Sequence, residues 1–318
     1  MNSSKRGIIK QNILVTGGAG FIGSHIVEEG IKRGHRVVVM DNLSSGKVEN
    51  LAHIDQTQLR IHKEDIRDIE FVNHLFKKES FDIVFHEAAI ASVQKSISEP
   101  DYTYSVNVEG ANNIFKAASK NNVRRVVFAS SAAVYGDNPD LPKAEEMVAT
   151  PVSPYGEHKL MNEKSAFEFS QKGTTKFTAL RYFNVYGERQ DPKSEYSGVI
   201  SIFLDKISKH QSITIFGDGQ QTRDFVYVKD IVTANYMAAN NDQHLFSVYN
   251  VGTEIPTSLR TLAEVIHDVY KSSYKILYDK ERLGDIKYSY SCIKKIRLIG
   301  YSPEYTIDQG IACVSTTH

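Results

Sequence analysis

The sequence has 318 residues, with 38 Lys plus Arg, 38 Asp plus Glu and 41% hydrophobic residues. A net charge of zero argues against a general nucleic-acid binder, which usually carries a basic excess. Its two cysteines, Cys292 and Cys313, predict neither a disulfide framework nor a metal site. No apolar run reaches the roughly 18 residues that a membrane span requires. The composition therefore predicts a globular, cytoplasmic protein that acts on a small molecule.

Short apolar runs alternate with longer amphipathic segments through roughly the first half of the chain. Continuous β-branched runs are typical of strands buried on both faces of a parallel sheet. Their alternation with helical segments predicts an α/β fold with a doubly wound parallel (Rossmann) sheet. The predicted strands are 12–16, 36–40, 59–63, 82–86, 124–130 and 177–183, and the predicted helices include 21–33, 100–121 and 155–171.

After residue 185 the alternation becomes less regular. Further helices are predicted at 199–208, 228–240 and 257–271. We assign 1–185 to the sheet domain and 186–318 mainly to a smaller mixed α/β cap lobe, with segments near 224–250 returning to the sheet domain. Ligands of open α/β sheets bind beyond the carboxyl ends of the strands. A lobe at that edge would enclose a substrate.

The stretch NILVTGGAGFIGSH carries a glycine-rich turn directly after the first predicted strand. Gly17, Gly20 and Gly23 would permit a tight turn, close approach of the backbone to a pyrophosphate, and close helix–sheet packing. Phe21 and Ile22 would offer their N–H groups at the helix N-terminus, where anions are favoured. The spacing is G-x-x-G-x-x-G rather than G-x-G-x-x-G, so the strand and helix context carries the prediction of a dinucleotide site.

Asp41 ends the second predicted strand, 24 residues after Gly17. A carboxylate at this place accepts hydrogen bonds from ribose hydroxyls and repels a 2′-phosphate, which favours NAD over NADP. The alternative is that Asp41 only caps the following segment. Asp65, after the third strand, is predicted on the adenine side, with a loop carboxylate as its alternative. Neighbouring residues assigned to the cofactor are Asn42, Ser45, Gly46 and Ile66.

The stretch SPYGEHK places Tyr155 and Lys159 one helical turn apart, on one face of a helix. With the glycine turn, this pair resembles the extended short-chain dehydrogenase/reductase family. The resemblance covers nearly the whole chain and, within the family, is strongest to UDP-hexose 4-epimerases. The matching stretches are TGGAGFIGSH, HEAAIASV, SSAAVYG, SPYGEHKLMNE, LRYFNVYG and GDGQQTRDFVYVKD.

The resemblance implies a tightly bound NAD and a proton shuttle at Tyr155. Lys159, with the positive nicotinamide, would lower the pKa of the tyrosine and hold the nicotinamide ribose. Ser131, with Ser130 as the alternative, would share a hydrogen bond with the reacting oxygen of the substrate. Further cofactor contacts implied by the resemblance are Ala88, Ala89, Asn107 and Tyr182.

The two residues after Ser131 distinguish related reactions. The similar 4,6-dehydratases usually have Asp-Glu there, and the decarboxylases keep a glutamate at the second position. This chain has Ala132 and Ala133, whose methyl groups cannot move protons. The resemblance therefore implies epimerisation at C4. A dehydratase or decarboxylase with displaced catalytic groups, or a non-catalytic NAD-binding regulator, is the alternative.

The resemblance also implies a UDP-sugar substrate and a homodimer formed by the helices at 103–121 and 155–171. A small residue shortly after R-x-G-D, here Ser289, favours UDP-N-acetylglucosamine and UDP-N-acetylgalactosamine. Tyr288 and Tyr290 flank it, so a one-residue shift reverses this preference towards UDP-glucose and UDP-galactose, and a UDP-uronate is a further alternative. The implied substrate contacts are Ser92, Ser131, Asn184, Gly198, Val199, Phe216, Arg223, Arg282 and Ser289.

Overall fold

A computed structural model of the chain describes residues 10–55, 57–192, 194, 198–271, 274–281 and 287–315. The predicted doubly wound fold is confirmed. Seven parallel strands form a central sheet, and helices cover both of its faces. A second lobe carries a three-stranded and a two-stranded sheet among the described residues.

The strands alternate with helices along the first part of the chain, as the apolar pattern predicts. They are β1 Asn12–Thr16, β2 Arg36–Met40, β3 Leu59–His62, β4 Ile83–His86, β5 Arg125–Ser131, β6 Lys176–Tyr182, β7 Asn184–Tyr186, β8 Ile213–Phe216, β9 Thr222–Tyr227, β10 Phe246–Val251, β11 Pro256–Ser258 and β12 Ile276–Asp279. The order β10-β6-β5-β4-β1-β2-β3 reverses direction between β1 and β4. A crevice for a ligand is expected at this reversal.

The helices have close to their predicted bounds, except between residues 100 and 121. They are α1 Phe21–Lys32, α2 Ile69–Glu79, α3 Val93–Ser98, α4 Pro100–Tyr104, α5 Ala111–Lys120, α6 Pro154–Ser170, α7 Val199–Ser208, α8 Val228–Asn240, α9 Leu259–Tyr270, α10 Lys294–Arg297 and α11 Ile307–Ser315. A π-helix, Ser105–Gly110, separates α4 from α5. The helical segment predicted at 100–121 is present, but this π-helical turn interrupts its α-helical hydrogen bonding. Two 3₁₀-helices span Val48–Leu51 and Ala132–Tyr135.

The central sheet is buried on both faces. On one face, Ile26 of α1 and Ile231 of α8 pack in a cluster with strand residues such as Val15. On the other face, Val72 of α2 and Ile114 of α5 belong to a second cluster. Burial on both faces explains why the strands are continuous apolar runs rather than alternating patterns.

The second lobe is joined to the sheet by a buried carboxylate. Asp224 of β9 accepts hydrogen bonds from the backbone N–H groups of Thr253, at 2.8 Å, and Ser291, at 3.0 Å. It also accepts from the hydroxyl groups of the same two residues. These bonds hold the segment after β10 and the segment around Ser291 against β9, which lies beside the ligand crevice.

Candidate active site

A cavity of about 450 Å³ opens at the carboxyl ends of the parallel strands. Its wall comes from the turn after β1, the ends of β2 to β6, helix α6 and the start of α7. The residues of the sequence prediction on this wall are Gly17, Gly20, Phe21, Ile22, Gly23, Asp41, Asn42, Ser45, Asp65, Ile66, Ala88, Ala89, Ser131, Tyr155, Lys159, Tyr182, Asn184, Gly198 and Val199. The fold therefore brings together most of the cofactor and catalytic candidates.

The glycine turn after β1 has no room for side chains at two positions. A Cβ atom at Gly17 would lie 2.7 Å from the backbone nitrogen of Ala88, and one at Gly23 would lie 2.1 Å from the carbonyl oxygen of Gly17. Gly17 also has φ of +69°, a left-handed conformation that favours glycine. Gly20 caps α1 without a side-chain hydrogen bond, so the first-turn N–H groups remain for an anion.

Asp41 lies on the cavity wall directly after β2. Its carboxylate accepts hydrogen bonds from the backbone N–H groups of Ala19, at 3.0 Å, and Leu43, at 2.8 Å. Burial raises the pKa of this carboxyl. Each carboxylate oxygen has a second lone pair, so the carboxylate can still accept hydrogen bonds from ribose hydroxyls. Gly46 packs against the group, since a Cβ there would lie 2.8 Å from Oδ2 of Asp41.

Asp65 lies on the cavity wall after β3, where two neighbouring side chains hold its carboxylate. It forms an ion pair with Arg67, with 2.8 Å between Nη2 and Oδ2, and accepts a 2.9 Å hydrogen bond from the amide of Asn42. The hydrogen bond from Arg67, opposed by burial, lowers the pKa of Asp65 to about 2. This end of the cavity therefore keeps its negative charge at neutral pH.

Helix α6 carries the predicted catalytic residues Tyr155 and Lys159 at the opposite end of the cavity. It begins at Pro154, and the hydroxyl of the N-cap residue Ser153 accepts a hydrogen bond from the backbone N–H of Gly156, at 3.2 Å. Proline in the first turn and serine at the N-cap are favourable helix starts. Tyr155 and Lys159, one turn apart, both reach the cavity wall.

Two serines at the end of β5 have different partners. The hydroxyl of Ser130 donates to Glu163, at 2.6 Å, and both residues are buried. The side chain of Ser131 forms a hydrogen bond with that of Tyr155 and accepts one from the backbone N–H of Ala133, at 3.1 Å. The geometry thus places Ser131, and not Ser130, beside the tyrosine hydroxyl.

The ionisable groups at the α6 end of the cavity have shifted pKa values. Burial raises the pKa of Tyr155, the hydrogen bond with Ser131 opposes this, and the charge of Glu87 raises it further. Burial lowers the pKa of Lys159 to about 8, with its ammonium donating to the carbonyl of Ala129 at 2.8 Å. The pKa of Tyr155 is therefore raised in the protein alone, and the expectation that Lys159 and the positive nicotinamide together lower it stays a prediction.

The sequence analysis missed Glu87, which lines the cavity between β4 and the alanines assigned to the cofactor. Burial raises the pKa of this carboxyl to about 7, opposed by a hydrogen bond from Tyr182 and the charge of Lys159. The signal was a carboxylate at the carboxyl end of a predicted buried strand, in HEAAIA, where it follows His86 directly.

Three of the predicted contacts lie behind the wall. Asn107, in the π-helix, accepts a hydrogen bond from the backbone N–H of Ile90, at 2.7 Å, and donates to its carbonyl, at 2.9 Å. It therefore fixes the loop after β4 rather than facing the cavity. The hydroxyl of Ser92 accepts from the N–H of Lys95, at 2.9 Å, as the N-cap of α3. Gly46 lies behind Asp41, as described above.

Three of the substrate contacts assigned to the second lobe, Phe216, Arg223 and Ser289, lie outside this wall. Phe216 borders a separate cavity of about 140 Å³ with residues that include Gly217 and Lys287. Arg223 lies on β9, and the backbone N–H of Ser289 donates to the carbonyl of Thr222, at 3.2 Å. Their contacts with a substrate stay predictions. The assignment of Arg282 lies outside the described residues.

The residues present fit a dinucleotide. The turn has no space for a Cβ at Gly17 or Gly23, helix α1 has an uncapped N-terminus, and Asp41 retains acceptor capacity on the cavity wall. Across the described ranges, no three His, Cys, Asp or Glu side chains are grouped to hold a metal ion. In the same ranges no helix is long and apolar enough to cross a membrane.

The chain is similar to known proteins over most of its length. Residues 13–252 match the model of the NAD-dependent epimerase/dehydratase family. The chain is 42% identical to a putative UDP-glucose 4-epimerase of Methanocaldococcus jannaschii, over 94% of this chain and 95% of the relative.

Two solved structures are similar over almost their whole length. A UDP-N-acetylglucosamine 4-epimerase of Methanobrevibacter ruminantium, solved with UDP-N-acetylmuramic acid, has 40% identity and a TM-score of 0.92, covering 96% of this chain and 97% of its own. A UDP-glucose 4-epimerase of Thermotoga maritima, solved with UDP-glucose, has 36% identity and a TM-score of 0.90, with 96% and 97% covered.

Proposed function

The chain belongs to the NAD-dependent epimerase/dehydratase family, and we propose that it interconverts UDP-N-acetylglucosamine and UDP-N-acetylgalactosamine. Its reaction class is NAD-dependent epimerisation at C4 of a UDP-hexose. The observation that carries this class is the placement of Tyr155, Lys159 and Ser131 together on the wall of a dinucleotide cavity. The choice of the acetamido sugar is the finer part of the proposal.

The side chains supply the proton transfers. Tyr155 removes the proton of the 4-hydroxyl, and Ser131, hydrogen-bonded to the tyrosine, shares that hydrogen bond with the reacting oxygen. Lys159 holds a positive charge 5.7 Å from the centre of the tyrosine ring, which favours the phenolate. Bound NAD supplies the acceptor and donor of hydride at C4. Tyr155 then returns the proton, so the protein is unchanged after each turnover.

The surroundings of the pair argue against elimination. Ala132 and Ala133 begin the 3₁₀-helix directly after Ser131. Elimination across C5–C6 requires an acid and a base beyond Tyr155, and methyl groups can serve as neither. Chemistry confined to C4 is what these residues support.

Two observations support the acetamido sugar. The Methanobrevibacter ruminantium relative is named a UDP-N-acetylglucosamine 4-epimerase and is similar to this chain over almost its whole length. Ser289, a small residue, is held beside β9 by its backbone hydrogen bond to Thr222. UDP-glucose and UDP-galactose are the second candidate pair, because several curated relatives are named UDP-glucose 4-epimerases.

The test is an epimerisation assay on the purified protein without added cofactor. UDP-N-acetylglucosamine, UDP-glucose and UDP-glucuronate are incubated separately, and the C4 epimers are separated by chromatography. We expect the acetamido sugar to react at least about tenfold faster, a difference in barrier of roughly 1.4 kcal/mol. Faster turnover of UDP-glucose would support C4 epimerisation but contradict the assignment of the acetamido sugar as substrate. Release of CO₂ or a dehydrated product would contradict the assignment of an epimerase.

A matched pair of variants tests Ser289. Ser289→Tyr should lower turnover of UDP-N-acetylglucosamine more than that of UDP-glucose, because the larger side chain removes space for the acetamido group. Ser208→Tyr, a bulky substitution at an exposed position of α7, should leave the ratio unchanged. An equal loss for both sugars in Ser289→Tyr would contradict the assignment.

We further propose that the chain forms a homodimer and works in the cytoplasm. Exposed apolar side chains on α3, α4 and α6 support the dimer; they are Val93, Ile97, Tyr104, Met161 and Phe167. Light scattering should give twice the mass of one chain, and Ile97→Asp with Phe167→Asp should give the single-chain mass.

A further inference from the structure

Glu87 is the carboxylate at the catalytic end of the cavity, on the same wall as Tyr155, Lys159 and Tyr182. It follows β4 directly, and its backbone N–H donates to the carbonyl of Thr16, at 3.1 Å. No role in the proton transfers described above requires it. A carboxylate is costly to keep in such a place unless other groups hold it.

A chain of hydrogen bonds from two other elements holds this carboxylate. The amide of Asn235, on α8, donates to the hydroxyl oxygen of Tyr182, at 2.7 Å. The same hydroxyl donates to Oε1 of Glu87, at 2.9 Å. Because Tyr182 accepts from the amide, its own proton is directed at the carboxylate. Glu87 is therefore held as a hydrogen-bond acceptor, as an ionised carboxylate would be.

The charged and titratable groups around Glu87 belong to three elements. From α6, Lys159 presents a positive charge and Tyr155 a neutral phenol. From β6, Tyr182 presents its hydroxyl, and burial raises its pKa well above the usual value. On β4 itself, burial lowers the pKa of His86 to about 3, so this imidazole is uncharged at neutral pH. Glu87 is thus the negative group facing Lys159 here.

The cofactor adds one more positive charge to this end. The nicotinamide ring is cationic when oxidised and neutral when reduced, and the reacting ring must lie near Tyr155. With Lys159 alone, the oxidised ring would be a second buried cation, which is unfavourable. We propose that Glu87 is a positioning counter-charge that stabilises the oxidised nicotinamide relative to the reduced one. The protein would thereby favour return of hydride to the sugar over loss of the keto intermediate from a reduced site.

The experiment measures the cofactor and does not depend on the sugar. Full-length protein carrying NAD is dialysed to equilibrium against a fixed mixture of NAD⁺ and NADH, and the bound nucleotides are quantified. Glu87→Gln should raise the bound ratio of NADH to NAD⁺ about tenfold, which corresponds to roughly 30 mV for a two-electron couple. Glutamine preserves the size of the side chain and still accepts the hydrogen bond from Tyr182.

Glu64→Gln is the matched control, because Glu64 lies on the same cavity wall but after β3. Three strand spacings of about 4.8 Å separate β3 from β4 in the sheet, so its charge should have little effect on the ring. The bound ratio in Glu64→Gln should equal that of the unmodified protein. An equal change in both variants would reject a local effect of Glu87.

Acidic pH should reproduce the substitution. The carboxyl has a pKa of about 7 in the protein without cofactor, and the oxidised ring beside it would lower this value. As the pH falls and the carboxyl becomes protonated, the bound ratio of the unmodified protein should approach that of Glu87→Gln. Above about pH 8 the two proteins should differ most. A ratio that is the same in both proteins at every pH would overturn the proposal, and so would a higher preference for NAD⁺ in Glu87→Gln. Either result would leave the epimerase function untouched.

Discussion

The carboxylates at the two ends of the cavity have pKa values that are shifted in opposite directions. At the β3 end, Asp65 is paired with Arg67, and its pKa is lowered to about 2. At the β4 end, Glu87 has a pKa raised to about 7 and lies near Lys159, whose pKa is lowered to about 8. The first end has a charge that is fixed across the physiological range, which suits binding. At the second end, two groups change protonation near neutral pH, so the charge there depends on pH, as is common at functional sites.

The largest effect should come from removing the proton shuttle at the β4 end. Tyr155→Phe should lower turnover by about a hundred- to ten-thousandfold, the usual contribution of a general acid–base group. Bound NAD and the thermal unfolding temperature should change little, because the aromatic ring remains. Turnover close to that of the unmodified protein, with the fold intact, would falsify the role of Tyr155.

Substitutions of the two serines of β5 should distinguish a catalytic hydroxyl from a structural one. Ser131→Ala should lower turnover about ten- to a hundredfold, because it removes a hydrogen bond to a charge developing in the transition state. Ser130→Ala should keep most of the turnover and instead lower the free energy of unfolding by about 1 kcal/mol, since Glu163 loses a buried donor. Rates and urea unfolding of both variants decide this, and a reversed pattern would assign the catalytic hydroxyl to Ser130.

Packing of the glycine turn should show the next largest effect. In Gly23→Ala the new methyl group would contact the carbonyl of Gly17, so the turn must move, at a cost of about 1–3 kcal/mol. We expect less NAD retained through purification and a lower unfolding temperature. Gly173→Ala is the control, because a Cβ there would meet nothing within 4 Å. Equal retention of NAD in both variants would contradict the packing argument.

The smallest effect should be the acid stability contributed by Asp65. Its pKa is near 3.8 in the unfolded chain and about 2 in the folded one, so its contribution is present above pH 3.8 and is lost as the pH falls towards 2. The side chain is partly exposed to solvent, which limits the contribution to about 1 kcal/mol or less. Asp65→Asn should therefore lower stability slightly at pH 7 and not at pH 2. Unfolding curves at both pH values would show whether the difference disappears.

The parts of the fold and site that depend on local pattern could be predicted from the sequence. The first six strands follow from continuous apolar runs, and the glycine turn follows from its position between strand and helix. The strand Phe246–Val251 was not predicted, because FSVYNV mixes polar and apolar residues although β6 pairs with it throughout. The partners of Glu87 were beyond sequence reasoning, since Tyr182 lies 95 positions away and joins Asn235 53 positions further on.

Asn107 shows a related limit. An asparagine on a predicted long helix was assigned to the cofactor, but the π-helical turn directs its amide to the backbone of Ile90. Helical periodicity predicts which face a residue occupies only while the helix is regular. One extra residue in a helical turn changes which group a side chain contacts, although the apolar periodicity of the sequence does not show it.

The central claim is that Tyr155 exchanges only the hydroxyl proton, while the hydrogen on C4 leaves and returns within the cavity. The most direct measurement uses UDP-N-acetylglucosamine deuterated at C4, with the epimer analysed by mass spectrometry and NMR. We predict that the product keeps the deuterium at C4 in ordinary water. Replacement of the deuterium by solvent hydrogen would contradict the account, because it would mean that a side chain removes the C4 hydrogen as a proton.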